Sequence, residues 1–455
     1  MIKHSYYHNS ISRAYSFLIP AQSSILFYGS VSPSFLNTFD FKKIVCIDPL
    51  LDYEIKDTGN KKIIIHKVEY EYFFPEDKFD YIILDFALGH ANDICKILNN
   101  ISKACKPDTR IIIHQQNYLW QWVLNLGGQL GFKRKEKTQN WLSTGDIKSY
   151  LQGCGFEHTR SFKKNIFPVF FLGIGPLLNW FFTIIPVLDF FKLDQFVIAR
   201  PLPSIIPDYK KPTSLSIVIT VRNEAGNIEP IIKSIPSICQ DQEIIFVEGH
   251  STDGTIEEIN KMIKIYPEKN IKHFTQPGKG QGDAIKLGFY NAQKDIVILY
   301  EGDGTSTTND ILYFYDSMKN DRFEFIEGSR FVYPFDKKSM PILKKIGNIF
   351  FAIWFSWFLG QRCTDLLSGI KAIFRRNYNV IYDNWGVWGT EDPFGDWELL
   401  FGSARYGLKI GEIPMFYQPR PYGKSKTNVF KHGILLLKMA YNSYIRFRTL
   451  KISKL

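Results

Sequence analysis

Glu301 and Asp303 close an apolar run in the order DIVILY followed by EGDG. A carboxylate pair at i and i+2 can set two hard oxygens on one divalent cation. Upstream, Gly278, Gly280 and Gly282 surround Lys279 in QPGKGQGDAIKLGF, a flexible loop opening a helix and suited to a pyrophosphate. Asn223 and Glu224 stand at the carboxyl end of SIVITV, where open α/β sheets place ligands. EIIFVEGHSTDGTIEEI repeats that layout, with Glu248 through Asp253 between strand and helix. Ser251, Thr252 and Asp253 are equally good helix caps. Asp396 and Glu398 in DPFGDWELLF read either as acids at a helix start or as a general base. Together these residues describe a site where charge building on a diphosphate meets a metal and a loop of amides.

Such residues need strands to carry them. Before residue 200, apolar β-rich runs fall at Ser24–Tyr28, Lys43–Ile47, Lys62–His66, Phe79–Leu84, Arg110–His114 and Gln195–Ala199. After it they fall at Leu215–Thr220, Glu243–Val247, Ile271–Gln276, Asp295–Tyr300 and Phe323–Glu327. Helical stretches alternate with them, which predicts two α/β domains. Pro201, Pro203, Pro207 and Pro212 resist helix and central strand, so 201–213 reads as an extended linker between domains at 1–200 and 214–432.

A chain of 455 residues with 45% hydrophobic and 22% charged content is globular, which excludes wholesale disorder. Its six cysteines lie far apart, with no CxxC, which excludes a sequence-readable zinc site and points to reduced thiols. Nine of the eleven net positive charges follow Glu412, beyond which no acidic residue occurs. There they alternate with apolar and aromatic residues, so 433–455 reads as a basic amphipathic tail on a membrane surface. Nucleic acid is not the expected partner. The uncharged run Ile166–Leu188 is long enough to span a bilayer, but Pro168, Pro176 and Pro186 would break it into an interfacial or buried hairpin. Ile349–Gly360 is too short to cross. No signal peptide opens the chain, so a cytoplasmic protein, peripheral on the cytoplasmic face of the membrane, is expected.

The ordered series strand–NE, strand–STDGT, GKG, strand–acidic pair, GSRF, TDLLSGIKA, ELLF and RPYGKSK resembles the family 2 glycosyltransferases. The likeness is to the dolichol-phosphate mannose synthase type, over about 214–432. It implies a GT-A nucleotide-sugar fold and inverting transfer from a UDP- or GDP-sugar with Mg2+ or Mn2+. It also implies that Glu248 contacts the base, Lys279 and Gly280 belong to the donor loop, and Glu301 and Asp303 replace the family's Asp-x-Asp. Arg330, Arg420 and Lys426 match residues expected to hold phosphates, and Asp365 matches an acid near the acceptor. The motif reads EGD in place of DAD, and VEGHSTDGT loses a carboxylate at Gly249.

A lipid phosphate acceptor is already ionised and needs cations, for which Arg330, Arg420 and Lys426 are available. A hydroxyl acceptor on a glycan or glycolipid needs a base, for which Asp365, Asp396 or Glu398 are candidates. Residues 1–200 resemble class I S-adenosylmethionine-dependent methyltransferases fused ahead of such glycosyltransferases. Gly29 after the first strand and Asp48 after the second give the gap of about twenty residues seen in nucleotide-binding units. Asp85 adds a third cofactor candidate. The loop YGSVSPSF lacks the family's glycines, and side chains at Ser30 and Val31 would crowd a cofactor. The domain therefore reads as degenerate, a scaffold or membrane dock, with a working methyltransferase as the alternative. A chain degenerate in both halves would be a membrane-docked scaffold.

Overall fold

Runs such as ILFY, YIIL and RIIIH carry apolar side chains on both faces, the pattern of central strands covered on both sides. They build a seven-stranded sheet in the order β3-β2-β1-β4-β5-β7-β6. Its strands are β1 (Ser23–Tyr28), β2 (Phe41–Ile47), β3 (Lys62–His66), β4 (Phe79–Asp85), β5 (Cys105–Gln116), β6 (Phe156–Lys164) and β7 (Asp194–Pro201). β3 through β5 run parallel, and β7 lies antiparallel between β5 and β6. The computed structural model describes residues 2–31, 36, 40–50, 62–129, 139–168, 170, 173–334, 340–388, 394–423 and 429–451. Two compact units emerge, Met1–Tyr209 with Arg448–Lys451, and Lys210–Phe447.

The second unit has its own seven-stranded sheet, ordered β10-β9-β8-β11-β13-β12-β14. Its strands are β8 (Leu215–Val221), β9 (Gln242–Glu248), β10 (Ile271–Thr275), β11 (Ile296–Glu301), β12 (Phe325–Ser329), β13 (Ile370–Phe374) and β14 (Ile410–Pro414). β10, β9, β8 and β11 are parallel, while β13 runs antiparallel between β11 and β12. Both sheets are mixed, and the protein is a two-domain α/β chain. β8, β9 and β11 end together, so Asn223, Glu248 and Glu301 leave the sheet at one edge.

The sequence reading missed β6, β13 and β14. FEHTRSFKK is an edge strand rich in cations and lacks an apolar run, and β13 carries Lys371 second among its five buried residues. Pairing with neighbours decides such strands, because strand preference follows burial and cross-strand contacts more than backbone propensity.

Two helices differ from expectation. The run read as Ile349–Gly360 starts earlier, as an 18-residue helix Ile342–Leu359, apolar and long enough to cross a membrane by length and composition. One face is buried through Asn348, Phe351, Phe355 and Phe358, while Ile342, Ile346 and Ile353 are 77%, 59% and 69% exposed. The stretch read as a basic amphipathic tail lies mostly on the helix Val429–Thr449, which buries Met439, Tyr444 and Phe447 and exposes Ile434 and Tyr441. Phe447 stacks on Trp388 at 5.2 Å, and Tyr444 packs on Trp354. Arg448, within the first unit, pairs both guanidinium nitrogens with Asp189 at 2.6 Å. That cation serves the fold.

Candidate functional site

The carboxyl edge of β8 and β11 forms one wall of a cavity of about 560 Å3 in the second unit. Its lining includes Glu224, Gly280, Glu301, Asp303, Arg330, Asp396 and Arg420. Glu301 is the last residue of β11, and its Oε1 accepts from Gln281 Nε2. Burial raises the Glu301 pKa, and the charge on Asp303 raises it further. Two carboxylates driven together in this way invite a cation. Gly369 opens the space they need, since a Cβ there would stand 2.7 Å from Glu301 Oε2.

Arg420 ties the site together. Its Nη2 donates to Asp303 Oδ2 at 2.6 Å and its Nη1 to Glu224 Oε1 at 2.7 Å. Asp303 Oδ1 accepts from the Thr305 amide at 3.0 Å and the Thr305 hydroxyl at 2.7 Å. Asn227 holds the other Glu224 oxygen at 2.7 Å. The acidic pair, the NE turn and the RPYG turn thus meet around one guanidinium.

Arg330 is held differently. Its Nε and Nη2 donate to the two oxygens of Asp365 at 2.6 and 2.7 Å, and its amide adds a third bond at 3.0 Å. Asn348 Nδ2 donates to the same carboxylate at 2.6 Å. Burial alone would raise the Asp365 pKa, but Arg330 and Asn348 hold it below the usual carboxylate range. Fully buried and paired on both oxygens, Asp365 holds Arg330 in place, a geometry suited to positioning more than to taking a proton. Asp396 does line the cavity, with Lys371 Nζ 3.3 Å from its Oδ1. Glu398 is 1% exposed and accepts the Gly386 amide at 3.1 Å, so it braces a loop away from the cavity lining.

Other expected donor contacts serve the turns. Glu248 is fully buried; one oxygen takes the Ser251 amide, and the side chain is not part of the lining. Asn223 adopts φ +50° and accepts the Thr252 amide at 2.8 Å. Asp253 caps two helices at once, accepting the Ala225 amide at 3.1 Å and the Thr255 amide at 3.2 Å. Lys279 is exposed beside Gly280, whose φ of +89° favours glycine. Lys426 lies outside the described residues. The sequence reading passed over Lys344, which lines the cavity from the helix Ile342–Leu359. Burial lowers its pKa, and Arg330 and Arg420 lower it further. A lysine heading an apolar run was the available signal.

The first unit holds its acids shut. Asp48 is 3% exposed; it accepts the Ser30 hydroxyl at 2.8 Å and the Leu50 amide at 2.9 Å. Asp85 Oδ1 accepts the Tyr15 hydroxyl at 2.8 Å and pairs with His114 Nδ1 at 2.6 Å. His114 Nε2 faces Asp194 Oδ1 at 3.3 Å. Burial lowers the His114 pKa, but bonds to Asp194 and Asp85 raise it to about 9, so an imidazolium sits between two carboxylates. Gly29, at φ +138°, is required by packing, because a Cβ there would meet the Asp85 carbonyl oxygen at 2.6 Å. Asp48, the acid a ribose would need, is buried and already accepts from Ser30 and Leu50, an arrangement that disfavours S-adenosylmethionine. Calorimetric titration of the full chain with S-adenosylmethionine is expected to give no saturable heat. Micromolar binding would overturn that expectation.

Comparison with known proteins accords with this division. Residues 216–383 match the model of glycosyl transferase family 2, and residues 11–161 match a methyltransferase domain model. The chain is 28% identical over 247 residues to the UDP-N-acetylglucosamine–dolichyl-phosphate N-acetylglucosaminyltransferase of Methanococcus voltae, covering 49% of this chain and 95% of that protein. It is also 28% identical over 225 residues to a dolichyl-phosphate hexose transferase of Haloferax volcanii, covering 49% and 91%. The solved glucosyl-3-phosphoglycerate synthase of Mycobacterium tuberculosis is similar at 14% identity and a TM-score of 0.36, covering 51% and 80%. The chain is a glycosyltransferase whose residues 216–383 match the family 2 model, behind residues 11–161 that match a methyltransferase domain.

Proposed function

We propose that the second unit moves a sugar, with inversion, from a nucleotide sugar to a polyprenyl phosphate at a membrane. The observation that carries this reading is the cavity's two-sided lining. Carboxylates Glu301 and Asp303 stand with the cations Arg330, Lys344 and Arg420. Leu343, Phe351 and Leu436 line the same cavity, and Leu343 belongs to the helix whose outer face exposes Ile342, Ile346 and Ile353. A phosphate on an isoprenoid chain needs this combination: cations for the head and hydrocarbon for the tail.

Glu301 and Asp303 fit a divalent cation, which would neutralise charge developing on the departing diphosphate. Arg420 already bridges Asp303 and Glu224, and would share that charge. The loop at Gly280 and Gln281 lines the cavity and would cradle the donor. Arg330, aimed by Asp365, and Lys344 would hold the acceptor phosphate. Because that phosphate is ionised at neutral pH, attack on the anomeric carbon requires no base. A hydroxyl acceptor would need a base, and Asp396, the one of the three candidate acids lining the cavity, has the Lys371 ammonium 3.3 Å from its Oδ1. A phosphate acceptor makes no such demand.

Transfer assays with a panel of UDP- and GDP-sugars and a short-chain polyprenyl phosphate test the reading. Lys344→Ala is expected to raise KM for the acceptor about tenfold or more while leaving donor KM within twofold, the effect of losing one charge-assisted contact. No turnover with any donor would sink the proposal.

A further inference from the structure

The first unit carries an exposed aromatic face that the glycosyltransferase reaction does not use. Residues 166–188 contain no charged side chain, and neither do residues 118–129. The helix Ile174–Ile184 is followed by a turn of 3-10 helix, Pro186–Phe191. Leu177, Trp180, Phe181 and Phe190 are 62%, 58%, 50% and 55% exposed, and Trp122 on the helix Gln121–Gln129 is 71% exposed.

Polar groups fasten the inner side. Asn179 Oδ1 accepts the amides of Ile166 and Phe167 at 2.7 and 3.0 Å, while its Nδ2 donates to the Tyr6 hydroxyl at 2.9 Å. Trp120 Nε1 donates to the Phe191 carbonyl at 2.8 Å, joining the second helix to the same face. The outer side is left as hydrocarbon, which is costly in water at about 25 cal/mol per Å2. A contiguous apolar patch of this kind marks a docking surface.

Cations mark its edge. Lys163 Nζ lies 5.4 Å from the Phe190 ring centroid. Lys192 is buried and paired with Asp189 beside Phe190 and Phe191, so it adds little free charge. Burial, with Arg13, Lys192 and Lys451 nearby, lowers the Lys164 pKa to about 7, which leaves Lys164 partly charged and the exposed Lys451 as the nearby cation that meets solvent. Aromatic and aliphatic groups edged by lysine are complementary to an anionic bilayer surface. Against a second copy of the same face, the lysines would repel one another.

We propose that this face of the methyltransferase-type unit is a membrane dock, seating Leu177, Trp180 and Phe190 in the interface of an anionic bilayer. It deepens the reading of a membrane-borne acceptor and rests on that reading only for its purpose, since the face belongs wholly to the first unit. The deciding measurement is the emission of Trp180, taken as the difference between the full-length chain and its Trp180→Phe variant. Phosphatidylcholine–phosphatidylglycerol vesicles lacking any polyprenyl phosphate are expected to shift that emission to the blue, and brominated acyl chains to quench it. Pure phosphatidylcholine vesicles and high salt should weaken both effects.

The Leu177→Glu/Trp180→Glu double variant should co-float with anionic vesicles at least about tenfold less, given the apolar area lost. It should keep its melting temperature and its transfer to a short-chain acceptor in detergent, which shows that it folds. Trp180 emission unchanged by anionic vesicles would overturn the proposal. So would a vesicle-free dimer that the double variant converts to monomer, because a second copy would then cover the face. Failure of every glycosyltransfer assay with Trp180 still quenched would sink the functional reading and leave the dock standing.

Discussion

Replacing Asp365 by Ala is expected to destabilise the second unit by about 3–5 kcal/mol, the cost of leaving one member of a buried ion pair without its partner. Arg330 would lose both guanidinium bonds and its amide acceptor, and Asn348 would lose its own. Thermal or urea unfolding of the full chain, following the second unit's transition, measures this. The pH dependence has a definite sign. Asp365 is held below its unfolded pKa of about 3.9, so its contribution is complete above that value and fades as pH falls through the folded pKa. Asp365→Asn separates two roles. A general base replaced by its amide would lower kcat and leave stability unchanged. A positioning residue replaced in the same way would lower stability and raise acceptor KM together. The bidentate geometry predicts the second outcome, and a stable, kcat-only variant would refute it.

Glu301→Gln is expected to do the reverse: keep or raise stability while lowering kcat about 10²–10³-fold, the usual loss when one group stabilising developing charge is removed. Its folded pKa is raised by burial and by Asp303, so ionisation opposes folding. That contribution to stability is present at low pH and is lost as pH rises through the raised pKa. Near neutral pH the amide removes the penalty. Addition of Mn2+ should raise the melting temperature of the parent chain, because a bound cation favours the folded state. The variant should show little or none of that rise. An equal Mn2+ shift in both proteins would remove Glu301 from the metal site.

Much of the donor side was legible because it is local. An apolar run of five to seven residues followed by NE, EGHSTDG or EGDG sets both the strand and the polar residues at its end. Parallel strands align those ends automatically. The Gly280 loop was readable for the same reason, since its positive φ belongs to the glycine itself. The methyltransferase-type half was also visible in strand order, and so was the departure at Ser30. Sequence did not reveal that Ser30 would donate to Asp48, or that Tyr15 would cover Asp85.

Roles that depend on distant partners were not legible. Asp365, Asp396 and Glu398 are alike as acids in a sequence, yet one is locked to Arg330, one faces the cavity and one braces a loop. Arg420 meets Asp303 across 117 residues and Glu224 across 196. Lys344 enters the cavity because it shares one helix face with Asn348 and Phe351, four and seven residues on, and that face is the buried one. In the basic C-terminal stretch, nothing along the chain marked Tyr444 and Phe447 for burial or Arg448 for pairing with Asp189. By itself the sequence determined eleven of the fourteen described strands, the turns at their ends and the family those turns resemble, since each rests on periodicity and on residues adjacent in the chain. Tertiary structure alone decided which charges are spent on one another and which are left facing the cavity. The pairing of ionised side chains is set by burial and distance, and neither is written along the chain.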